Sequence, residues 1–263
     1  MGYVFDFKDA GIYDEAFELE KNRYCLEREI RLMMRMLDPA KGGRLLDIGC
    51  GTGVSLEPFI NSGLDLTGID PSTYMLDKAA DKFKDRVTLH KGSAEDLPFE
   101  DNSFEYSIMF TSLEFTERPA KAIEEACRVT KDKIFIGVLN RYAPTNIIRR
   151  VKGYFRPNIY SHARFFGIWE LRQILFAILG KVPITWKTTL QMPCFSGRVP
   201  GFCEDIRLVQ KSPFGTMIGM KIEPVPRFRT RPLALKIKTR KSYKPATGMA
   251  RTMKGVPHGN ADL

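Results

Sequence analysis

The chain has 263 residues, of which 43% are hydrophobic and 27% are charged, with 41 Lys or Arg against 31 Asp or Glu. This length suits one sizeable α/β domain, and the hydrophobic content exceeds that of intrinsically disordered proteins. No apolar run approaches the roughly 18 residues of a membrane-spanning helix, and residues 1–9 lack a signal-peptide layout, so we expect a cytoplasmic protein without membrane association.

The net charge of +10 is concentrated at the C-terminal end. Residues 227–263 hold ten Lys or Arg and one acid, Asp262, whereas residues 1–226 are almost neutral. We therefore predict one domain over 1–226 and a flexible basic tail over 227–263. Contact of this tail with RNA is an open alternative.

The five cysteines do not indicate a metal site. No two of them form a C-x-x-C pair, and only three histidines are present to complete a ligand set. We expect no bound metal, and we interpret Cys50 as a small packing residue and not as a nucleophile.

Strands and helices alternate up to residue 140. An amphipathic helix is predicted over 14–37 and further helices over 54–62, 72–83 and 119–129, with strands over 44–48, 66–69, 87–90, 104–110 and 133–139. This alternation is typical of a parallel sheet with helices on both faces.

The pattern changes after Asn140. Residues 141–167 mix Arg, aromatic residues, Pro and Gly, and we predict a partly helical insertion that caps the substrate site. A helix over 169–179 and strands over 184–190 and 215–222 follow.

A glycine-rich loop, Gly49-Cys50-Gly51-Thr52-Gly53, follows the first strand directly. Glycines at a strand end let a ligand approach the backbone, and the N–H groups behind them are free to bind it. The spacing is G-x-G-x-G and not the G-x-G-x-x-G of dinucleotide enzymes. Asp47 inside the strand end suits a ligand with an ammonium group, such as the amino-acid end of methionine.

Two later features complete the pattern. Asp70 ends the second strand, where a carboxylate accepts both hydroxyl hydrogens of a ribose. Residues 92–99 follow the third strand as a small-residue loop that is suited to an adenine edge. Together with the glycine loop, they indicate an adenosine-containing ligand.

With these motifs and Phe104 to Phe115, the chain resembles the class I S-adenosylmethionine-dependent methyltransferases, within the broad group that includes ubiquinone and menaquinone biosynthesis enzymes. The resemblance implies a Rossmann-like, seven-stranded, mostly parallel sheet with an antiparallel last strand. It implies methyl transfer by in-line SN2 substitution from S-adenosyl-L-methionine, with S-adenosyl-L-homocysteine as product.

The resemblance also implies positions for cofactor binding. It assigns the methionine portion to the first strand and its loop, the ribose to Asp70, the adenine to the residues beside Asp70 and in the third loop, and the sulfonium side to the end of the fourth strand. The implied residues are Tyr13, Asp47, Gly49, Cys50, Gly51, Gly53, Asp70, Pro71, Ser72, Met75, Ser93, Ala94, Glu95, Phe110, Thr111 and Leu113.

Two positions depart from the family pattern. Many relatives carry Asp where this chain has Ser93, so the hydrogen bond to the adenine amino group is weaker here. Quinone methyltransferases often carry a histidine where this chain has Glu114-Phe115, which argues against a quinone acceptor.

The methyl acceptor is predicted to be a small molecule, bound on the insertion side. Candidate substrate residues follow the fifth strand and are Asn140, Tyr142, Tyr160, His162 and Arg164. The sequence identifies no catalytic residue. An RNA methyltransferase that uses the basic tail and a non-catalytic adenosine-binding protein are the alternatives. A nicotinamide-dependent oxidoreductase is disfavoured by the glycine spacing.

Overall fold

The computed structural model describes residues 2–7, 20–155, 159–190 and 207–224. Its strands form a single seven-stranded sheet in the order β3-β2-β1-β4-β5-β7-β6. They are β1 (Arg44–Ile48), β2 (Asp65–Asp70), β3 (Thr88–Lys91), β4 (Phe104–Phe110), β5 (Thr130–Leu139), β6 (Ile184–Thr189) and β7 (Met217–Ile222). β7 runs antiparallel to both neighbours, whereas the other paired strands are parallel. The predicted Rossmann-like fold is confirmed.

The described α-helices surround this sheet. They are α1 (Glu20–Leu37), α2 (Thr73–Phe83), α3 (Pro119–Val129), α4 (Pro144–Phe155), α5 (Ile168–Leu179) and the single turn α6 (Arg207–Gln210). The N-terminal part of the helix predicted over 14–37, with Tyr13 before it, lies outside the described residues, as does the basic tail. None of the described helices has the length and apolar character needed to cross a membrane.

Each face of the sheet carries its own hydrophobic core, because successive strand residues point to opposite faces. Leu45 of β1 packs in a core with buried side chains of α1 and α2, including Leu37 and Phe83. Leu46 lies in the opposite core, with buried side chains of α3 and α5 such as Ile123. Burial on both faces explains the continuous apolar character of β1.

Ser72 begins α2 as predicted. Its backbone is extended, and its hydroxyl accepts a hydrogen bond from the N–H of Met75 at 3.3 Å. This side-chain cap satisfies a donor that has no partner within the first helical turn. The helix therefore starts immediately after Asp70 and Pro71.

The α-helix predicted over 54–62 is wrong. The segment forms turns and a short 3₁₀ helix, Glu57–Phe59, in which the N–H of Phe59 bonds to the carbonyl of Leu56 and that of Ile60 to Glu57. Pro58 has no N–H for the bond that an interior position of the predicted helix would make, and in the observed 3₁₀ helix it stands in the first turn, where that N–H would have no helical partner.

One strand boundary was predicted imprecisely, and the insertion was predicted correctly as partly helical. β5 begins at Thr130, three residues before the predicted start, because α3 passes directly into the strand. Residues 141–167 contain α4 and a 3₁₀ turn, Ile159–Ser161, in agreement with a partly helical insertion.

Candidate functional site

A cavity of about 340 Å³ opens at the carboxyl ends of β1 to β4. Open α/β sheets bind their ligands at this edge, because the loops that leave adjacent parallel strands meet there. The cavity brings together residues predicted from four separate segments of the chain. Those that line it are Gly49, Cys50, Gly51, Asp70, Pro71, Met75, Ser93, Ala94, Glu95, Phe110 and Thr111.

The three glycines of the first loop have different surroundings. All have positive φ angles, of 74°, 52° and 80° at Gly49, Gly51 and Gly53. A Cβ added at Gly49 would lie 2.4 Å from the Cβ of Ser112, and one at Gly53 would lie 2.2 Å from the ring of Phe83. A Cβ at Gly51 would meet no atom within 4 Å. Gly51 therefore leaves space for a ligand, whereas Gly53 packs on α2 and does not line the cavity.

The carboxylate of Asp70 is held by two backbone donors. Oδ2 accepts a hydrogen bond from the N–H of Gly51 at 2.9 Å, and Oδ1 accepts one from the N–H of Ser72 at 2.8 Å. Burial raises the pKa of Asp70, and these two hydrogen bonds oppose the rise. Because each oxygen has a second lone pair, the carboxylate can still accept hydrogen bonds from a ligand.

Asp47 lies one layer behind the cavity and is fully buried. The hydroxyl of Ser55, which lines the cavity, donates to Oδ2, and Oδ1 has no hydrogen-bond partner among the described residues. The pKa of Asp47 is raised to about 7, mainly by burial and to a lesser extent by the charge of Asp70, while the hydrogen bond from Ser55 opposes the rise. Two carboxyl groups that repel one another favour a positively charged ligand between or beside them.

Cys50 has an uncharged thiol. Burial raises the pKa of Cys50 well above its ordinary value, and the charges of Asp47 and Asp70 act in the same direction. The sulfur packs against β2, since a Cβ added at Gly68 would lie 2.8 Å from it. A protonated, packed thiol has no nucleophilic character at neutral pH.

The loop after β3 is braced by its own polar side chains. The hydroxyl of Ser93 donates to Glu95, whose Oε1 accepts from the N–H groups of Glu117 and Arg118 at 2.9 and 3.1 Å. Although partial burial opposes it, these hydrogen bonds lower the pKa of Glu95. The Ser93 and Glu95 side chains therefore hold the loop in shape, and the exposed carboxylate of Asp96 lies beside them in the cavity wall.

The turn after β4 carries a strained residue at the cavity. Thr111 has a φ of 50°, which is unfavourable for a β-branched side chain, and its N–H bonds to the carbonyl of Gly137 at 2.8 Å. Backbone strain of this kind is concentrated at functional sites. Leu113 does not reach the cavity and is fully buried in the core.

The N-terminal segment forms a wall that the sequence did not predict. Tyr3, Val4 and Phe5 line the cavity. The N–H of Tyr3 bonds to the carbonyl of Phe115 at 2.9 Å, and the hydroxyl of Ser72 donates to the carbonyl of Phe5 at 2.6 Å. The alternation of aromatic residues over 3–7 was the available signal, but it does not show what the segment contacts.

Of the candidate substrate residues, only His162 adjoins the cavity wall. Its ring stacks on Tyr3, with centroids 4.2 Å apart and planes at 10°. Asn140 is fully buried, and its Nδ2 donates to two backbone carbonyls after α6, each at 2.7 Å. Arg164 forms an ion pair with Glu170 at 2.7 Å.

The two tyrosines of the candidate set do not line the cavity either. Tyr142 is 51% exposed. The ring of Tyr160 lies under the guanidinium of Arg149, 5.1 Å from ring centroid to Cζ. The insertion thus reaches the cavity through the contact of His162 with Tyr3.

Glu114 is a buried acid beside the cavity wall. It is 2% exposed, and its Oε1 accepts a hydrogen bond from the N–H of Leu139 at 2.7 Å. Its Oε2 has no partner among the described residues. Burial raises its pKa to about 8, opposed by that hydrogen bond and assisted by Glu29. A carboxyl group that titrates near neutral pH is typical of functional sites.

Comparison with known proteins agrees with this arrangement. The methyltransferase domain family matches residues 46–136. An uncharacterised protein of Methanocaldococcus jannaschii is 40% identical over 175 residues, which cover 65% of this chain and 78% of that protein. The demethylmenaquinone methyltransferase of Paenarthrobacter aurescens is 38% identical over 101 residues, 38% of this chain and only 40% of the relative's length.

A solved structure has the same fold. It is a crystal structure from Thermotoga maritima, described as an S-adenosylmethionine-dependent methyltransferase and possible histamine N-methyltransferase. It superposes with a TM-score of 0.65 at 24% identity, over 82% of this chain and 96% of that one. With the strand order, the glycine loop and the strand-end acid in their family positions, the chain belongs to the class I S-adenosylmethionine-dependent methyltransferases and is an enzyme of that family.

Proposed function

We propose that this enzyme transfers a methyl group from S-adenosylmethionine to a small-molecule acceptor. The observation that carries the proposal is the cavity of about 340 Å³, which joins the glycine loop, Asp70 and the turn after β4. Its volume is in the range of sites that enclose small ligands. The wall formed by Tyr3, Phe5 and Phe115 gives one side an apolar, aromatic surface.

The cavity residues fit this cofactor by their chemistry. Asp70, oriented by two backbone donors, accepts the ribose hydroxyls, and the glycine loop with Ser55 and Asp47 holds the positively charged amino-acid end. Pro71 and Met75 flank the adenine, with Ser93, Ala94 and Glu95 at its edge. Ser72, which the resemblance also implies, begins α2 behind this wall and does not line the cavity. The buried Oδ1 of Asp47, which has no hydrogen-bond partner among the described residues, and the open space at Gly51 support this placement.

The protein's contribution to the reaction is alignment. The bound cofactor supplies a methyl group that is already electrophilic because it is attached to a sulfonium. Phe110, Thr111 and the aromatic wall then have to orient the acceptor in line with the departing bond and exclude water. These roles require no nucleophilic side chain, and we assign none.

The catalytic unit is proposed to be residues 1–226, with 141–167 as the capping insertion and 227–263 as a basic tail. A compact unit that ends at Arg227 supports the boundary. The near neutrality of 1–226 favours a small acceptor over RNA, which would need a basic surface. Truncation after residue 226 should therefore leave turnover of a small acceptor unchanged. Loss of turnover on truncation, with strong salt dependence, would support the RNA alternative.

The cofactor is tested by calorimetric titration of the full chain with S-adenosylmethionine and with NADH. Asp70→Ala should weaken S-adenosylmethionine binding by about 100-fold, since charge-assisted hydrogen bonds contribute roughly 1.5–3 kcal/mol each. Asp65→Ala is the matched control, because Asp65 begins the same strand that Asp70 ends and is exposed. Binding of NADH alone, or equal effects of the two variants, would contradict the proposal.

The acceptor is tested separately, by release of S-adenosylhomocysteine. Phenolic quinone precursors and aromatic amines are the first classes to screen, since the relatives' descriptions name demethylmenaquinone and histamine. We expect turnover of an aromatic amine before that of a quinone precursor. Glu114 stands where quinone enzymes often carry a histidine, and this departure disfavours a quinone acceptor.

A further inference from the structure

Helix α4 presents three aliphatic side chains to solvent. Ile147, Ile148 and Val151 are 48%, 54% and 56% exposed, and their spacing places them on one face of the helix. A polar side chain is buried on another side of the helix. Asn146 is fully buried, and its Nδ2 donates to the carbonyls of Asn140 and Thr216 at 3.0 and 2.8 Å. This arrangement is the reverse of an ordinary surface helix, which buries its branched aliphatic residues.

The same segment is strongly basic. Residues 141–156 contain five Lys or Arg and no acid. Arg150 is exposed beside the apolar face, whereas Arg149 is half-buried on the opposite side of the helix, over the ring of Tyr160. Arg149 donates to Oδ1 of Asn146 at 3.1 Å, and the guanidinium of Arg150 lies 5.8 Å from the ring centroid of Phe165.

Aliphatic side chains flanked by cations match one kind of partner better than others. A second copy of this face would bring Arg150 against the same cation, because a two-fold interface pairs a surface with itself. RNA is bound through stacking on aromatic rings, which Ile and Val do not provide. An anionic lipid surface offers both phosphates for the cations and acyl chains for the aliphatic groups.

We propose that α4 docks on an anionic phospholipid surface, with the face formed by Ile147, Ile148 and Val151 at the boundary between headgroups and acyl chains. Arg150, exposed beside this face, contacts the lipid phosphates. The proposal departs from the sequence expectation of no membrane association, and it requires no spanning helix. Docking would bring the insertion, whose His162 contacts the cavity wall at Tyr3, to the lipid interface.

The test uses the full chain in co-sedimentation with vesicles of phosphatidylcholine alone or of equal parts phosphatidylcholine and phosphatidylglycerol. The variant carries Ile147→Gln, Ile148→Gln and Val151→Gln, because Gln keeps helix propensity while removing the apolar surface. We expect the wild type to sediment with anionic vesicles and the variant to lose about tenfold or more of its partition coefficient. Phe176→Gln, at a residue of α5 that is 56% exposed, is the control and should bind as the wild type does.

The basic tail over 227–263 also attracts anionic vesicles, so the comparison is repeated at about 0.5 M salt, where surface charges are largely screened. The difference between wild type and triple variant should persist there, because apolar insertion is not screened. Circular dichroism and thermal melts check that all variants fold. Equal partition of wild type and triple variant at both salt concentrations would overturn the proposal. The proposal would also be overturned if the triple variant lost dimer formation in sedimentation velocity, or lost retention of RNA, while its lipid binding equalled that of the wild type.

Discussion

The hydroxyl of Ser112 donates a hydrogen bond to the carbonyl oxygen of Ile48 at 2.7 Å, which ties the turn after β4 to the end of β1. The Cβ of the same serine occupies the space in front of Gly49, where an added Cβ would lie only 2.4 Å away. The turn after β4 thus limits the space at Gly49, whereas Gly51, two residues later, remains open to the cavity. The two glycines should respond differently to substitution.

Gly49→Ala should destabilise the fold. A Cβ at this position would be strained by the positive φ angle and would also clash with Ser112. Together these effects should lower the free energy of unfolding by about 2–4 kcal/mol. Chemical denaturation measures the free energy of unfolding. Gly63→Ala is the matched control, since Gly63 has a φ of 78° and open space around it, and it should cost only about 1 kcal/mol. Equal losses for the two variants would show that Ser112 does not confine the loop.

Gly51→Ala should weaken cofactor binding with little further loss of stability. Its Cβ would enter the cavity beside Asp70, whose Oδ2 accepts the N–H of Gly51 at 2.9 Å. We expect the unfolding free energy to fall by about 1 kcal/mol, as for Gly63→Ala, because both costs arise from positive φ. Calorimetry with S-adenosylmethionine should show a loss of tenfold or more, a change that Gly63→Ala should not produce.

Affinity for S-adenosylmethionine should fall as the pH falls from about 7.5 to about 6, by up to roughly tenfold per unit. The reason is that a cationic ligand binds best when Asp47, with a pKa of about 7, is ionised. Ser55→Ala removes a hydrogen bond that lowers this pKa, so the midpoint of the pH dependence should move to higher pH. Asp47→Asn should flatten the dependence, apart from a smaller contribution of Asp70. Affinity that rises on acidification would refute this account.

Glu114 should make the fold less stable as the pH rises. Its pKa is about 8 in the folded chain against 4.5 ordinarily, so the folded state holds a proton that the unfolded state has released between these values. The free energy of unfolding therefore decreases across that window, by an amount on the order of a few kcal/mol.

The test of this linkage compares Glu114→Gln with the wild type in denaturation at about pH 5 and pH 8. The variant should gain stability relative to the wild type at the higher pH. Part of the slope should remain, because burial also raises the pKa of Glu29 to about 7, with Arg149 opposing it. The exposed Glu100→Gln variant should change nothing. If the free energy of unfolding fell by the same amount in the wild type and in Glu114→Gln, the pH dependence would have to arise from another group.

Much of the cofactor side of the cavity was predictable because its signals are local. Asp70, Ser72 and the glycine loop each stand at a strand end or helix start that can be recognised within a few residues. The topology of a parallel sheet then brings the strand ends to one edge. The same local reasoning was wrong for residues 54–62, where Pro58 ruled out the α-helix that the apolar periodicity indicated.

The aromatic wall of the cavity depended on contacts between residues distant in the chain, and the sequence alone did not predict it. Phe5 meets Ser72, and Tyr3 meets Phe115 and His162, across more than 60 residues in each case. Asn140 was predicted to lie beside the substrate. It is instead buried, and its side chain donates hydrogen bonds to backbone carbonyls some 75 residues later in the chain.

The sequence by itself therefore determined the class of fold, the family and the residues that meet at the carboxyl edge of β1, β2 and β3. Periodicity and turn chemistry are properties of neighbouring residues, so they can be recognised in the chain. Only the tertiary structure decided that Gly53 packs on Phe83 and not on the cavity, that Glu114 is buried, and that α4 turns Ile147 outward. Which side chain is buried, and against what, depends on packing between segments that local pattern does not encode.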